Sequence, residues 1–518
     1  MTTTMEKVEK LNLEHAPTVQ ALPDAAKTEA GILLEVDEEN AGSLQLARDG
    51  HTVLLPQPTS DPGDPLNWSW SKKHLILFTV AWGSLCADFT SATGSATLIV
   101  QAVEWEISPN HVGQNNSLNI LLMGLGGLFW VPMVSYFGRA PVLFWTTLIA
   151  FVFVILSVNS TSFTMFYTVR ALQGLFITAP QTISIAFIKD MFFFHERARK
   201  IGLWACLYIA SPYIGPCLSN FILQGTGSWR DCFWMGVGVV GLQLIFILAF
   251  VDETFYNRDL SQGSQPSRPS SLQGRLSRIL GFWQLRNSSY YISFLQAYKR
   301  LILVLIKPAF YLIAFLIFAW AIGINITTAI LFATPEKYGG YGYSYNGVGF
   351  LYFIPIVAIF IGEVFGHFFN DFMARRYIHK HGGVFEAEAR LTTLYIAAVA
   401  MIAGLVLIGQ TLEKELSVAG VIFGWGLSAF GVMVNSVATQ SYALDSYPLA
   451  PAEVAGWVQF ARVAGGFSVG YYQQPWGAKV GYAATFGTQA GIVAFSLIAV
   501  VALQIWGRKL RLSAGTVQ

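Results

Sequence analysis

Charge is scarce in this chain. Of its 518 residues 12% are Asp, Glu, Lys or Arg, while 54% are hydrophobic. A soluble domain carries about 25% charged residues, so a water-facing shell around a single core is excluded. Cysteine is scarce too. Cys86, Cys206, Cys217 and Cys232 form no Cys-x-x-Cys pair and lie in or beside apolar runs. They read as small packing residues, with neither disulfide nor metal expected. The chain lacks a Gly-x-x-x-x-Gly-Lys-Ser/Thr loop, which argues against ATP drive. It also lacks His-Glu-x-x-His and any convincing nucleophile–base set, so an intramembrane enzyme is the least expected reading and no cofactor is expected. The formal net charge is only +2, and no nucleic-acid partner is expected.

What is present is a series of long apolar runs. About 20 apolar residues cross a bilayer as a helix. About twelve such runs occur, in two sets of six split by a basic polar stretch from Asp252 to Lys307. The spans read as 74–97, 114–136, 140–159, 164–188, 200–222, 231–251, 308–332, 346–369, 390–410, 417–440, 452–473 and 482–506. This pattern predicts an all-α integral membrane protein of two six-helix bundles, the plan of a secondary transporter. The 48 glycines and 20 prolines are tolerated in membrane helices.

The spans divide the chain into an N-terminal tail (1–72), a first bundle (73–252), a central loop (253–306), a second bundle (307–507) and a C-terminal tail (508–518). The polar first tail has an acidic patch at Glu35, Asp37, Glu38 and Glu39 and no cleavable apolar leader, and reads as disordered and cytosolic. Lysine and arginine crowd alternate loops: Arg139; Lys189, Arg197, Arg199 and Lys200; Arg258 through Lys307; Arg375, Arg376, Lys380 and Arg390; Arg508, Lys509 and Arg511. The other loops carry only Arg230, Lys337, Lys414 and Lys479. The positive-inside rule then places both termini in the cytosol. Sequons at Asn115 and Asn159 fall at outer helix ends and are glycosylation candidates. Those at Asn67, Asn287 and Asn325 are expected to be silent. Within the central loop, Gln262 to Gln273 reads as disordered, and Gly274 to Arg300 as either an interfacial amphipathic helix or a solvated linker.

Three short patterns sit at telling places. Phe137-Gly138-Arg139-Ala140-Pro141 follows the second span. Arg170-x-x-Gln173-Gly174 lies in the fourth, and Gly202, Ser211, Gly215, Pro216 and Ser219 are spaced along the fifth. Together they resemble the major facilitator superfamily. The first matches that family's Gly-x-x-x-Asp-Arg-x-Gly-Arg-Arg loop in reduced form, with Ser135 where an acid is usual and Ala140 where a second arginine is usual. Its charge latch is therefore depleted. The third fits the antiporter motif with serine at two glycine positions, small residues that let helices approach closely. Further stretches are similar to fungal drug:proton antiporter-like carriers. These are Asp64-Pro65-Leu66-Asn67-Trp68-Ser69; Lys189-Asp190 with His195-Glu196-Arg197; Gly366-His367-Phe368-Phe369-Asn370-Asp371 with Glu388-Ala389-Arg390-Leu391; and Arg462 to Phe467 with Gln473 to Trp476. The resemblance implies a monomeric carrier in the lipid bilayer that exports a small amphipathic organic substrate in exchange for protons. It implies the plasma membrane, with the vacuole as the alternative. Uptake of a polyamine, organic cation or nutrient, and a transport-like nutrient receptor, remain open.

The residues themselves nominate a site. Ionisable side chains inside a membrane are costly and so mark function or essential structure. Asp88 lies about 14 residues into the first span, roughly 21 Å along it, and Arg170 about 6 residues from the outer end of the fourth, roughly 9 Å. At this similar depth they are expected to face each other, as a coupling pair or a static ion pair. Glu363 and His367 share a face of the eighth span at i, i+4. Glu363 reads as a coupling acid, and His367 and Asp371 as gating residues. Arg462 in the eleventh span is expected to pair with Glu363 or to attract an anion. Trp82, Gln173, Gln181, Tyr208, Gln243, Asn325, Asn435 and Gln459 are the candidates for the substrate cavity. Gly138, Arg139, Gly202, Ser211, Gly215 and Pro216 are those for gating and helix packing.

Overall fold

The structure, a computed structural model, describes residues 32–33, 44–47, 49–258, 260, 262–305, 308–320, 332, 341–382, 384–447 and 450–514. Six long helices form the first half: α1 (Trp70–Glu104), α2 (Pro109–Phe137), α3 (Arg139–Val158), α4 (Phe163–Met191), α5 (Phe194–Thr226) and α6 (Trp229–Phe250). The central segment holds α7 (Leu272–Leu280), α8 (Phe282–Arg286) and α9 (Phe294–Leu305). The second half is α10 (Pro308–Trp320), α11 (Tyr345–Lys380), α12 (Thr393–Glu413), α13 (Val418–Ser446), α14 (Pro451–Val480) and α15 (Tyr482–Ala514). Among the described residues, ten helices are long and apolar enough to cross a membrane. α14 has the length but carries Glu453, Arg462 and Lys479. The seventh predicted span is described only as α10 and at Phe332.

Local chemistry sets the helix ends. Ser69, Ser108 and Ser162 each accept a backbone N–H of the first turn of α1, α2 and α4, which satisfies an otherwise orphaned donor. Gly138 serves at once as the C-cap of α2 and the N-cap of α3, at φ +90°. A side chain there is strained, and its Cβ would lie 2.5 Å from Glu253 Oε2.

Two apolar cores meet along the seam between the halves. One joins Ile76, Ile183, Trp204 and Ile209 of the first half to Ile359, Met433 and Ala455 of the second. The other gathers the second half around Trp425, Tyr442 and Phe486 and takes Cys217 from α5. All four cysteines are buried and free.

Two segments expected to be disordered are packed where the structure describes them. In the N-terminal tail, Val53 and Leu55 are fully buried against Phe194 at the start of α5 and against Ile378, Phe385 and Ala389 of the second half. The N–H of Phe194 donates to the Leu55 carbonyl at 2.7 Å. Ile32–Leu33 (β1) pairs antiparallel with Val384–Phe385 (β2). The tail thus straps both halves together at the end of the bundle that carries most of the basic loops. In the central loop, the Ser/Gln/Pro-rich stretch has little regular structure but is held by its neighbours. Arg268 donates to the carbonyls of Glu253 and Phe255, and Trp283 Nε1 donates to Ser267 O at 2.9 Å. Arg278 grips Asp252 through two bonds of 2.8 and 3.2 Å, with Lys72 at 3.1 Å. Composition suggested disorder because the stretch has few apolar residues, and its order comes from hydrogen bonds to backbone carbonyls and a carboxylate 13 to 26 residues away.

Candidate substrate and coupling site

A chain of polar groups crosses the seam at mid-bundle, and each helix supplies two members at i, i+3 or i, i+4, the spacing that shares a face. α1 supplies Ser84 and Asp88, α4 Gln181 and Ser184, α5 Trp204 and Tyr208, and α14 Gln459 and Arg462. α4 is broken here. Its pieces, Phe163–Ile177 and Ala179–Met191, flank Thr178, and Pro180 has no N–H to continue the ladder. That break places Gln181 at the start of a helical turn, facing α1 and α14.

The bonds run continuously. Arg462 Nη2 donates to Asp88 Oδ2 at 2.8 Å and Arg462 Nε to Gln459 Oε1 at 3.3 Å. Gln459 Oε1 also accepts the Tyr208 hydroxyl. Gln459 Nε2 donates to Gln181 Oε1 at 2.7 Å, and Gln181 Nε2 to Ser84 O at 3.2 Å. Trp204 Nε1 donates to Ser84 Oγ at 2.7 Å, and Ser84 Oγ lies 3.2 Å from Ser184 Oγ. The Arg462 guanidinium sits 4.4 Å from the Tyr208 ring centre, and Trp204 stacks on Tyr208 at 5.0 Å. Most of these groups are buried, but the side chains of Arg462 and Asp88 keep 28% and 13% of their surface. The ion pair is therefore the edge of the network that open space can reach.

This overturns two expected pairings. Arg170 does not meet Asp88. It is fully buried and donates to the carbonyls of Thr90 and Ser91, both at 2.8 Å, and to Gln173 and Asn116. Nor does Arg462 meet Glu363. Depth along a helix is legible from sequence, but rotation about its axis is not. Asp88 turns toward the second half, while Arg170 turns toward the α1 backbone one half-turn on.

Glu363 lies against α5 where Gly202 leaves room: a Cβ on Gly202 would be 2.4 Å from Glu363 Oε1. Among the described residues Glu363 has no hydrogen-bond or ion-pair partner. A narrow crevice runs from it past His367 and Asn370 to Asp371, with Arg199, Arg390 and Ser441 on the facing walls. Arg199 closes its mouth with a two-pronged bond to Asp371 at 2.8 and 2.6 Å, an ion pair between the halves.

Several cavity candidates lie elsewhere. Trp82 faces α6, donating to Val239 O at 3.2 Å and packing on Phe246. Gln243 is buried inside the first half against Gly83, where Pro180 also packs. Gln173 belongs to the Arg170 cluster, and Asn435 accepts from Thr439 one turn along its own helix. Asn325 lies outside the described residues. Gly215 packs on the Phe89 carbonyl of α1, Ser211 donates to Tyr208 O, and the Pro216 carbonyl accepts from Asn220. Asn115 is buried, which withdraws it as a glycan acceptor in this conformation, whereas Asn159 is exposed.

The latch at the α2–α3 turn is complete after all. Its carboxylates come from distant positions. Arg139 Nε donates to Asp190 Oδ2 at 3.1 Å, and the N–H groups of Arg139 and Ala140 both donate to Glu253 at 3.2 Å. A carboxylate there suits the positive end of α3. Sequence reasoning missed Ser84, Ser184, Trp204 and Glu253 as site residues. Ser84 and Trp204 do stand one turn before Asp88 and Tyr208, a usable signal. Among the described residues no three His, Cys, Asp or Glu side chains converge as a metal site would require.

The sequence description of the Major Facilitator Superfamily matches residues 80–470. The chain belongs to that superfamily. As a facilitator it is a transporter, not an enzyme. It sits in the lipid bilayer and binds a small-molecule substrate. Its fold is similar to that of the proton:xylose symporter XylE, with a TM-score of 0.61 at 13% identity over 84% of this chain and 96% of that one. Among fungal relatives, an MFS-type transporter of Penicillium rubens, paaT, is 25% identical over 75% of this facilitator and 70% of its own length. The efflux pump radE of Floropilus chiversii is 23% identical over 84% and 79%. A multidrug transporter of Aspergillus fumigatus, mdrA, is 25% identical over 76% and 64%.

Proposed function

We propose that this facilitator exports a small amphipathic organic compound, a drug or a fungal secondary metabolite, in exchange for protons. The observation that carries the reading is the Asp88–Arg462 ion pair, which joins the two halves at the accessible edge of an aromatic and amide network. Rocking of one half against the other moves such a site between the two sides of the membrane. The halves cannot part at this level while the pair is closed. A proton on Asp88 removes its charge and weakens the bond, so protonation and opening are coupled. Glu363, a lone acid in the crevice behind the Arg199–Asp371 pair, is the second proton carrier, and Arg199–Asp371 gates the basic end. The relatives named as efflux pumps and a multidrug transporter support export. The lysine and arginine bias supports a cytosolic basic end with both termini inside. We assign the carrier to the plasma membrane, acting as a monomer, with the domain limits given above.

Two measurements test this. Metabolites of cells and medium are compared between strains lacking and overexpressing the gene. A compound retained on deletion and enriched outside on overexpression is expected. One depleted from the medium only when the protein is present would establish uptake instead. With that compound, proteoliposomes are driven by a pH gradient. Glu363→Gln and Asp88→Asn are expected to lose proton-driven accumulation while normally inserted, and full pH-driven transport by both would refute coupling through these acids.

A further inference from the structure

The central segment ends in a helix whose position has a consequence for the bilayer. α9 and the stretch before it run at 80° to Ala309–Phe318, which opens the seventh span. Bilayer-crossing helices tilt by about 20° on average from the normal. A helix nearly perpendicular to one therefore lies close to the bilayer plane.

Its inner face is fixed. Leu301 packs with Val131 of α2, Ala186 of α4 and Ala452 of α14. Its carbonyl accepts from Trp457 Nε1 at 2.9 Å, and Tyr298 donates to the Phe129 carbonyl at 3.4 Å. Arg300 pairs with Glu453 at 3.4 Å. α9 thus bridges α2 of the first half and α14 of the second. Phe129 and Leu125, on the flank of α2 beside it, are themselves exposed, as residues facing lipid are.

The outer face is apolar and basic. Phe294, Leu295 and Ile302 are 47%, 79% and 57% exposed, and Lys299 stands one turn from both Leu295 and Ile302. Phe282 and Leu285 of α8 are exposed as well, with Arg286 beside them. Among the described residues neither Lys299 nor Arg286 has an ion-pair partner. Exposed apolar side chains interleaved with unneutralised cations, on a helix lying in the plane, match the chemistry of an anionic phospholipid surface.

We infer that α8 and α9 are embedded in the leaflet at the basic end, with Phe282, Leu285, Phe294, Leu295 and Ile302 among the upper acyl chains and Arg286 and Lys299 on the phosphates of anionic phospholipids. The stems of both cations run along the apolar surface and lift their charges to headgroup level. Because α9 crosses the seam, the lipid under it contacts both halves at once. The assignment is independent of the substrate, the coupling ion and the direction of transport.

The test uses the full chain in nanodiscs of phosphatidylcholine, with or without phosphatidylglycerol. A fluorophore on Leu295→Cys reports depth, the native cysteines being buried. Quenching by spin-labelled acyl chains with protection from aqueous iodide is expected, and the reverse would overturn the embedding. Native mass spectrometry then counts retained lipid. Preferential retention of phosphatidylglycerol is expected, weakened about fivefold by Arg286→Gln and again by Lys299→Gln, the factor that about 1 kcal/mol per basic residue corresponds to. Equal retention by the double variant, or no preference for phosphatidylglycerol in the parent, would overturn the headgroup assignment.

Discussion

Asp88→Asn is the most direct perturbation of the seam. Asparagine keeps the shape of the acid and stands in for its protonated form. At 2.8 Å two unit charges attract by about 6 kcal/mol at an effective dielectric of 20 and by about 1.5 kcal/mol in water. The pair lies between these limits, since Arg462 keeps 28% of its side-chain surface. Removing one member of a fully buried pair costs about 3–5 kcal/mol, mostly for the orphaned charge. Here the orphan retains Gln459 Oε1 and the Tyr208 ring, so we place the loss at about 2 kcal/mol. That is roughly a 30-fold shift toward the state in which α1 and α14 part. Spin labels on Val103 of α1 and Tyr471 of α14, both exposed, read the separation by pulsed electron resonance. The single variants Asp88→Asn and Arg462→Gln should each broaden or lengthen the distribution. The double variant should do so by less than their sum, with a coupling energy of about 1.5–2 kcal/mol. A coupling below about 0.5 kcal/mol, or an unchanged distribution in Asp88→Asn, would show that the pair does not hold the halves together.

Other outcomes follow from the same geometry. Gly138→Ala puts a Cβ on Glu253 at φ +90°; combining a left-handed penalty with a lost helix cap, we expect about 2 kcal/mol of destabilisation, read as a lowered unfolding temperature in detergent. Gly202→Leu drives a side chain into Glu363, so normal insertion with strongly reduced transport is expected. Deleting residues 1–57 uncovers the surface that Val53 and Leu55 bury. A cysteine at Ala389, only 9% exposed, should then react with a maleimide that labels the full-length chain slowly. Burial by itself raises the Asp252 carboxyl, but the hydrogen bonds and charge of Arg278, and then Lys72, outweigh it and hold it below the usual carboxylate range. A depressed folded value means that this docking is fully present above the unfolded pKa of about 3.9 and is lost as pH falls through the folded one. Pepsin should therefore spare residues 260–290 at the upper end of its working range and cut them as the medium becomes strongly acid.

Much of the architecture was legible in the sequence because a bilayer imposes it. Apolar runs of helix-spanning length and the split at Asp252 located the long helices of both halves, and the seventh predicted span begins where α10 does, whereas α7, α8 and α9 of the central segment were not located. The site was legible only as a set of members. Asp88, Arg462, Tyr208, Gln181 and Gln459 were all named from sequence, because a polar group in an apolar run costs free energy unless something answers it. Their partners were not legible. Pairing depends on rotation about each helix axis and on how two bundles meet, and both are decided by side-chain packing between residues far apart in the chain. Arg170 and Asp88 lie at similar depth yet face different neighbours. The latch that looked depleted around Arg139 is completed by Asp190 and Glu253, which lie on two other elements. The Ser/Gln/Pro-rich stretch and the N-terminal tail look disordered by composition; where they are described, the first is held by Glu253, Phe255 and Trp283, and the second by a surface that both halves supply. The sequence by itself determined that this chain crosses a membrane many times and which polar groups lie within it. Only the tertiary structure decided which of them meet, because the helices' rotation and the seam between the halves are set by contacts that no local stretch of sequence contains.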